Sequence, residues 1–494
     1  MIIGNWVTFV ALANAADVSD IAEYRVSGTA PSDFEANTDG AHTGQAWALD
    51  QRLRAGIDVA GANWRVATEW DFLTGQIAGD TWKIPGVEDE RHREALTSLT
   101  LDGIRPRRLA AGFDLPFARI DLGLMPSSTW GLGLIANDGN GDPLFGRTDF
   151  GDRVVRLRVA TRPEPEWTLV LAADVVASDD TADLMRGQLA AQGILAGVWK
   201  PADGVTAGVY GVYRHQVEHA FDPADFSVAP DPDAQAVSRV GVVDLFTRVG
   251  THVGGWPVDI GAEAAEITGE TARARSYNSP DSLGIISGAA VAKIRTDDPK
   301  GHLGILLNGG YLSGDGHPDD ATQNGFTADR DFDVGMVLFD EVQGAIDAAA
   351  YAQLSDPEYS GHTTDGADAL VSEGAVRGST WVQPAVVVTV LPWLQARAGA
   401  VFAWSTAPIA QPFTSFRSGG VPTNHLGVAT SGYALGTELD WAIVLGNADP
   451  LSPHKLTEPK PKPALILQGG HAFLSEDLGG NRVDVLMATA RVRL

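Results

Sequence analysis

From Asn481 to Leu494 the chain alternates with a period of two. Leu486, Ala488, Ala490, Val492 and Leu494 fall on one face of an extended strand, and Met487, Thr489, Arg491 and Arg493 on the other. An apolar face backed by one that ends in arginines is the ending expected of a transmembrane β-barrel, with lipid on one side and a lumen on the other. Terminal Leu494 departs from the Phe or Trp on which such barrels more often end. The same two-faced pattern recurs upstream. Trp47, Leu49, Leu53, Ala55, Ile57 and Val59 oppose Asp50, Arg52, Arg54 and Asp58, while Val155, Leu157 and Val159 oppose Arg156 and Arg158. Leu394, Ala396, Ala398, Ala400, Phe402 and Trp404 oppose Gln395 and Arg397, and Tyr433, Leu435, Leu439, Trp441 and Ile443 oppose Glu438 and Asp440. Many such strands in series predict one large antiparallel sheet.

The connections fall into two alternating classes. Short turns occur at Gly61-Ala62, Pro201–Gly204, Gly254–Trp256 and Leu391-Pro392; long ones occur near Gly75–Pro106, Pro126–Asp152, Val217–Ser238, Ser313–Ser379 and Ser405–Thr430. Tight periplasmic turns at one end of a barrel and long external loops at the other produce this alternation. Parity then demands a strand before Trp47, for which Ile21–Gly28 is the candidate. The expectation is an all-β fold: a single transmembrane antiparallel barrel of about 18 strands, with 16 as the alternative and the C-terminus in the periplasm. The basic, Pro-rich connection Gly446–Lys462 is long for the side on which it falls. At the N-terminus, apolar Ile2–Leu12 followed by Ala13-Asn14-Ala15 reads as the remnant of a signal peptide over residues 1–16, with the barrel over 17–494. No Lys or Arg precedes the apolar stretch, so Met1 is expected to lie within a longer signal; a short buried helix is the other reading.

Composition changes this picture little. There are 494 residues, 56 glycines, 13 tryptophans, 20% charged residues and no cysteine, which leaves neither a disulfide framework nor a thiolate metal site. No interior run of 18 apolar residues exists, which excludes a helical membrane protein. Charge changes it more. The net charge of −27 is concentrated in two predicted external loops: residues 313–373 hold fourteen acids and a single Arg330, and residues 217–235 hold five acids and no Lys or Arg. That balance excludes nucleic acid as a partner. It describes either a solvated outer face or an electrostatic funnel whose repulsion Ca²⁺ would relieve. The connection Ser313–Ser379 is too long to be idle. Its alanine-rich middle, Glu341–Leu354, predicts a helix that either enters the lumen as a constriction or projects outward.

The predicted lumen face carries Arg52, Arg54, Arg65, Arg108, Arg156, Arg158, Arg214, Arg397, Arg491 and Arg493 among acids such as Asp50, Asp58, Glu69, Asp71, Asp174, Asp259, Glu263, Glu438 and Asp440. Either these charges pair into a lattice that stiffens the wall, or the arginines line a path for an anionic solute or polymer. Enzyme signatures are missing: there is no phosphate-binding G-x-x-x-x-G-K-[ST], no G-x-S-x-G and no H-E-x-x-H. His215-Gln216-Val217-Glu218-His219 matches the inverted zinc pattern, but it ends a predicted strand, where residues four apart cannot share a helical face. Asn137-Asp138-Gly139-Asn140-Gly141-Asp142 alternates oxygen ligands with glycines, making Asp138, Asn140 and Asp142 candidate Ca²⁺ ligands; with no glutamate at the twelfth position, a plain Gly-rich turn is the favoured reading.

Asp121-Leu122-Gly123-Leu124-Met125-Pro126-Ser127-Ser128-Thr129-Trp130-Gly131-Leu132-Gly133-Leu134, followed by Asn137-Asp138-Gly139, resembles the strand-to-loop passage of alginate-export-type outer-membrane barrels. Gly310–Gly316 and Asp329–Gly335 are similar to the long-loop region of that family. The resemblance implies an 18-stranded barrel that passes an anionic polysaccharide, seated in outer-membrane lipid and served by periplasmic export partners. Where the family would place a basic wall residue this chain has Leu124 and Met125, which sets alginate itself apart from the expectation. A general porin and a plugged barrel serving a surface, adhesion or motility complex are the alternatives.

Overall fold

The structure is a computed structural model, and it describes residues 17–80, 104–141, 143–148, 151–219, 235–274, 282–318, 320–356, 358, 372–446 and 462–493. The expected segment 1–16, the connection 447–461, Asp142 and Leu494 therefore lie outside the described residues. The strands are β1 (Asp17–Pro31), β2 (Ala48–Ala60), β3 (Trp64–Gly79), β4 (Ile104–Asp114), β5 (Arg119–Pro126), β6 (Arg153–Thr161) and β7 (Trp167–Ser178). Then come β8 (Leu189–Ala202), β9 (Val205–His219), β10 (Gln235–Val253), β11 (Trp256–Thr271), β12 (Leu283–Asp297) and β13 (Leu303–Leu312). A two-residue β14 (Thr322–Gln323) precedes β15 (Ser379–Leu391), β16 (Leu394–Ser405), β17 (Ala434–Gly446), β18 (Lys462–Leu474) and β19 (Arg482–Arg493).

Each long strand pairs antiparallel with its sequence neighbour, and β1 pairs with β19 from Glu23↔Arg493 to Pro31↔Val485, so the sheet closes on itself. The small β14 lies outside this ring and pairs in parallel with β12. The result is a closed antiparallel barrel of 18 strands, as the alternation predicts. Closure leaves no unpaired strand edge, which is the condition for a sheet to sit in hydrocarbon.

Period two decides which way each side chain faces. Leu171, Leu195, Val243, Leu245 and Ile286 point outward and are exposed, while Asp174, Ile194 and Asp244 of the same strands point inward and are buried. Trp167, Trp199 and Trp393 cluster near the short-turn end, and Tyr213, Tyr311, Trp404 and Phe473 stand farther toward the long-loop end, where aromatic rings bridge apolar and wet layers. The β8–β9 turn is Asp203-Gly204, with Gly204 at φ +79°, the left-handed backbone that a two-residue hairpin requires.

Local departures from the sequence expectation have identifiable causes. The first strand runs from Asp17 to Pro31 rather than from Ile21 to Gly28, and Trp47 stands just outside β2. A register shift between β16 and β17 skips Leu435, which turns inward and is buried instead of facing lipid. The alanine-rich segment forms helix α1 (Gly344–Ser355), preceded by a π-helical turn over Leu338–Gln343. That segment enters the barrel. The principal buried cluster combines Phe326, Phe332, Met336, Val337, Leu338 and Phe339 of the long loop with wall residues such as Leu312, Trp381, Val401 and Ala403. The core of this protein thus occupies its own lumen.

Because the outward face is built for lipid, a charge placed there should be costly. Leu171→Arg is expected to lower folding stability in bilayers by about 2–4 kcal/mol, the cost of arginine near the midplane. Met185→Arg, in the exposed connection after β7, should change it little. Reversible unfolding in lipid vesicles, read by tryptophan fluorescence, makes the comparison.

Candidate functional site

The wall formed by β19, β1, β2, β3 and β4 concentrates positive charge. Arg25 stands in register with Arg52 on one side and Arg491 on the other, so three guanidinium-bearing residues share one row. In the next row Glu23 is flanked by Arg54 and Arg493. Glu23 bonds Arg52 at 2.7 Å and Arg493 at 2.6 Å, and Asp71 takes a bidentate pair from Arg54 at 2.7 and 3.0 Å. Arg107 lies 3.5 Å from Glu69 and 3.7 Å from Asp71. Bidentate and shared pairs of this kind fix side-chain positions as well as neutralising charge.

The ten arginines singled out from the sequence do not form one site. Arg52, Arg54, Arg491 and Arg493 lie together on this wall. Arg65 pairs with Asp58 at the short-turn end of β2 and β3, while Arg156 with Asp174 at 2.8 and 2.7 Å and Arg158 with Asp121 at 2.7 Å make a second group farther around the barrel. Arg214 pairs with Asp179 at the long-loop end. Arg397 donates to Gln395 at 2.7 Å and to the Leu144 carbonyl at 3.0 Å. Arg108 is half-buried beside a register shift opposite Glu69; that shift also brings in Arg107, which alternation alone does not place inward and which is the more buried of the two. Arg25 is absent from the sequence expectation for a different reason: parity alone points to its strand and says nothing of the strand's faces.

A crossbar runs through the lumen. The described residues between β5 and β6, 127–141, 143–148 and 151–152, leave the wall and bond to both sides of the barrel. On one side, Trp130 Nε1 donates to Asp244 at 3.0 Å and the amides of Leu132 and Leu134 donate to Glu263. On the other, Arg107 donates to the Asp138 carbonyl at 3.2 Å, Arg54 to Asn140 Oδ1 at 3.0 Å and Arg25 to the Thr148 carbonyl at 3.1 Å. Asp244 and Glu263 sit on β10 and β11, nine strands from β1 and β2 and so half-way around the ring. Acidic wall positions take the amides of the loop, and basic ones take its carbonyls. The backbone is thereby satisfied without a sheet of its own.

Two proposed calcium ligands are engaged within this crossbar. Asn140 Oδ1 accepts from Arg54, and Asp138 Oδ1 accepts from the Asn140 amide at 3.1 Å. Among the described residues no group of three or more acidic or histidine side chains is arranged to hold a metal. Glu218 of the histidine-glutamate pattern pairs with Arg273 at 2.9 Å from a strand, not a helix.

The acidic loop meets its charge in other ways. Arg330 pairs with Asp180 and Glu373, and Arg377 with Asp347. Asp329 accepts from the Asn137 amide at 2.8 Å, and Asp331 from the Gly151 amide at 2.6 Å, which ties the long loop to the crossbar. Burial pushes the Asp152 carboxyl well up, with Asp180 and Asp179 adding to it; burial and Asp152 do the same to Asp329. Burial also raises Asp347 to about 6, against the pull of Arg377 and the Ser372 hydroxyl.

Between the long loop, the crossbar and the wall of β1, β2 and β19, a narrow cleft of about 20 Å³ is lined by Thr29, Asp50, Arg147, Met336, Asp340 and Glu341 among others. Thr29, Ala48 and Met487 share its row of the sheet, two rows from Arg25, Arg52 and Arg491 on the same three strands. Arg147 of the crossbar bonds Asp50 at 3.1 Å across this cleft.

No family model and no curated protein matches the sequence. Solved structures do match. OccAB1 of Acinetobacter baumannii is 10% identical over 97% of each chain, with a TM-score of 0.50. OpdK of Pseudomonas aeruginosa, solved with vanillate, is 11% identical over 97% of this chain and 98% of its own, with a TM-score of 0.50. A BenF-like porin from Pseudomonas fluorescens Pf-5 is 9% identical over 97% of this chain and 99% of its own, with a TM-score of 0.51. At such identities the likeness is one of fold, an outer-membrane β-barrel with 18 strands. These neighbours are porins; they support the outer-membrane barrel expected from Asp121–Gly139, and none of them shows the alginate-export family.

Asp347 yields a pH prediction. Folding raises its pKa from 3.8 to about 6, so the folded chain holds this proton more tightly than the unfolded one. The stabilisation is full below about 3.8 and is lost as pH rises through about 6. Amides of α1 should exchange more slowly at pH 5 than at pH 7.5 after correction for intrinsic rates. Asp347→Asn should flatten that difference, as measured by hydrogen–deuterium exchange with mass spectrometry.

Proposed function

We propose that this chain is an outer-membrane channel for small solutes, with a preference for anions, whose short-turn end and C-terminus face the periplasm. The observation that carries the reading is the charge of one wall. Arg25, Arg52, Arg54, Arg107, Arg491 and Arg493 stand there against Glu23, Glu69 and Asp71, an excess of positive charge among the described residues, and the narrow cleft opens two rows from the row of Arg25, Arg52 and Arg491. A solute passing between the inward loops and this wall meets guanidinium groups in a water-poor setting, where charge discrimination is strong. Porins of the same fold support a channel, and vanillate in the OpdK structure is itself a carboxylate. The crossbar, bonded at both ends across the lumen, favours a small solute over a polysaccharide chain.

One observation favours a less selective porin. Arg52, Arg54, Arg156, Arg158 and Arg493 already bond to carboxylates, so much of the charge is spent within the wall. Planar-bilayer recordings under a salt gradient distinguish the two. An anion-selective reversal potential is expected, and the double variant Arg25→Gln, Arg491→Gln should move it toward zero or past it. A cation-selective wild type would overturn the anionic preference, an unchanged potential in the variant would remove the role of this wall, and absence of current would remove the channel.

A further inference from the structure

The long loop needs something to hold it inside the barrel, and one residue stands out. Glu438 on β17 is fully buried and accepts three consecutive backbone amides: Met336 at 2.6 Å, Val337 at 2.9 Å and Leu338 at 2.7 Å. These amides open the helical part of the loop, Leu338–Gln343 followed by α1. The first amides of a helical segment have no partner within it and carry partial positive charge, so a carboxylate there satisfies both donors and dipole.

The chain is shaped around this contact. Gly335 has φ +78°, and a Cβ on it would stand 2.6 Å from Glu438 Oε1. Glycine at 335 therefore serves both the left-handed turn and the close approach of the carboxylate. No other wall side chain among the described residues takes three successive amides of the loop. Glutamine could not replace Glu438, since its amide nitrogen would meet donors with a donor.

We propose that Glu438 is the positioning residue of the constriction, the latch that keeps the segment Met336–Ser355 docked in the lumen, and that neutralising it undocks the segment while the barrel stays closed. Met336, Asp340 and Glu341 line the cleft, so undocking widens the path beside the arginine wall. The conduction part of this inference rests on the channel reading; the docking part does not.

The chain has no cysteine, which allows docking to be read directly. Val337 is wholly buried beneath Glu438, and Met185 is 92% exposed. In detergent-solubilised full-length protein, Val337→Cys should resist a polar maleimide on the time scale at which Met185→Cys is fully labelled. Adding Glu438→Gln should raise Val337→Cys labelling at least tenfold, with heat-modifiable gel mobility unchanged. Adding Asp121→Asn, which removes a buried wall carboxyl on β5 that pairs with Arg158 rather than with the long loop, should not. Equal protection with Glu438→Gln, or equal labelling with Asp121→Asn, would overturn the latch. In planar bilayers Glu438→Gln should raise single-channel conductance. Increased labelling with no current from any variant would leave the latch standing and defeat the channel, while increased labelling with unchanged conductance would overturn the claim that the latch sets the width.

Discussion

The interior of this barrel depends on one arrangement: acids of the wall accept amide hydrogens from the inward loops, and arginines of the wall donate to their carbonyls. A barrel lumen is difficult ground for irregular backbone, because every buried amide and carbonyl needs a partner. Glu263 takes two crossbar amides on one side, where Asp244 holds the Trp130 indole; Arg25 and Arg107 donate to its carbonyls on the other, where Arg54 holds the Asn140 side chain, and the crossbar is stretched between them. Charged partners make these bonds stronger than neutral ones. The same charges pair along the wall, so the lattice that stiffens the sheet and the anchors that fill the lumen are one network.

This explains which parts of the molecule were legible in the sequence. Lipid imposes period two on the outward face, and Leu, Val and aromatic residues reveal it strand after strand. The helix over Gly344–Ser355 was legible from its alanines. Bulges were not, because a single skipped residue inverts the local face; hence Arg107 was missed and Leu435 was placed on the wrong side. The closing pair of β1 with β19 joins residues more than 450 positions apart, and alternation says nothing about that partnership.

The site was less legible than the fold for a related reason. On a one-dimensional reading Glu263 and Glu438 are lumen acids like any others, and nothing in their strands says that backbone amides will meet them. Asp138 and Asn140 have the spacing of cation ligands, but what they meet is set by Arg107 and Arg54, which reach them from another part of the chain. Local spacing identifies donors and acceptors. Which of them are matched depends on closure of the ring.

The acidic long loop shows how that matching handles excess charge. Fourteen carboxylates in residues 313–373 would repel one another in a compact loop. The structure disperses that repulsion over three kinds of partner: guanidiniums at Arg330 and Arg377, backbone amides at Asp329 and Asp331, and a bound proton where burial makes ionisation costly, as at Asp347 below about pH 6. Each has a different sensitivity. Salt weakens exposed ion pairs, amide contacts persist as long as the crossbar stays in place, and protons leave as pH rises. The docked loop therefore responds to its surroundings through its own carboxylates, while the barrel wall, closed by backbone hydrogen bonds, does not have to move.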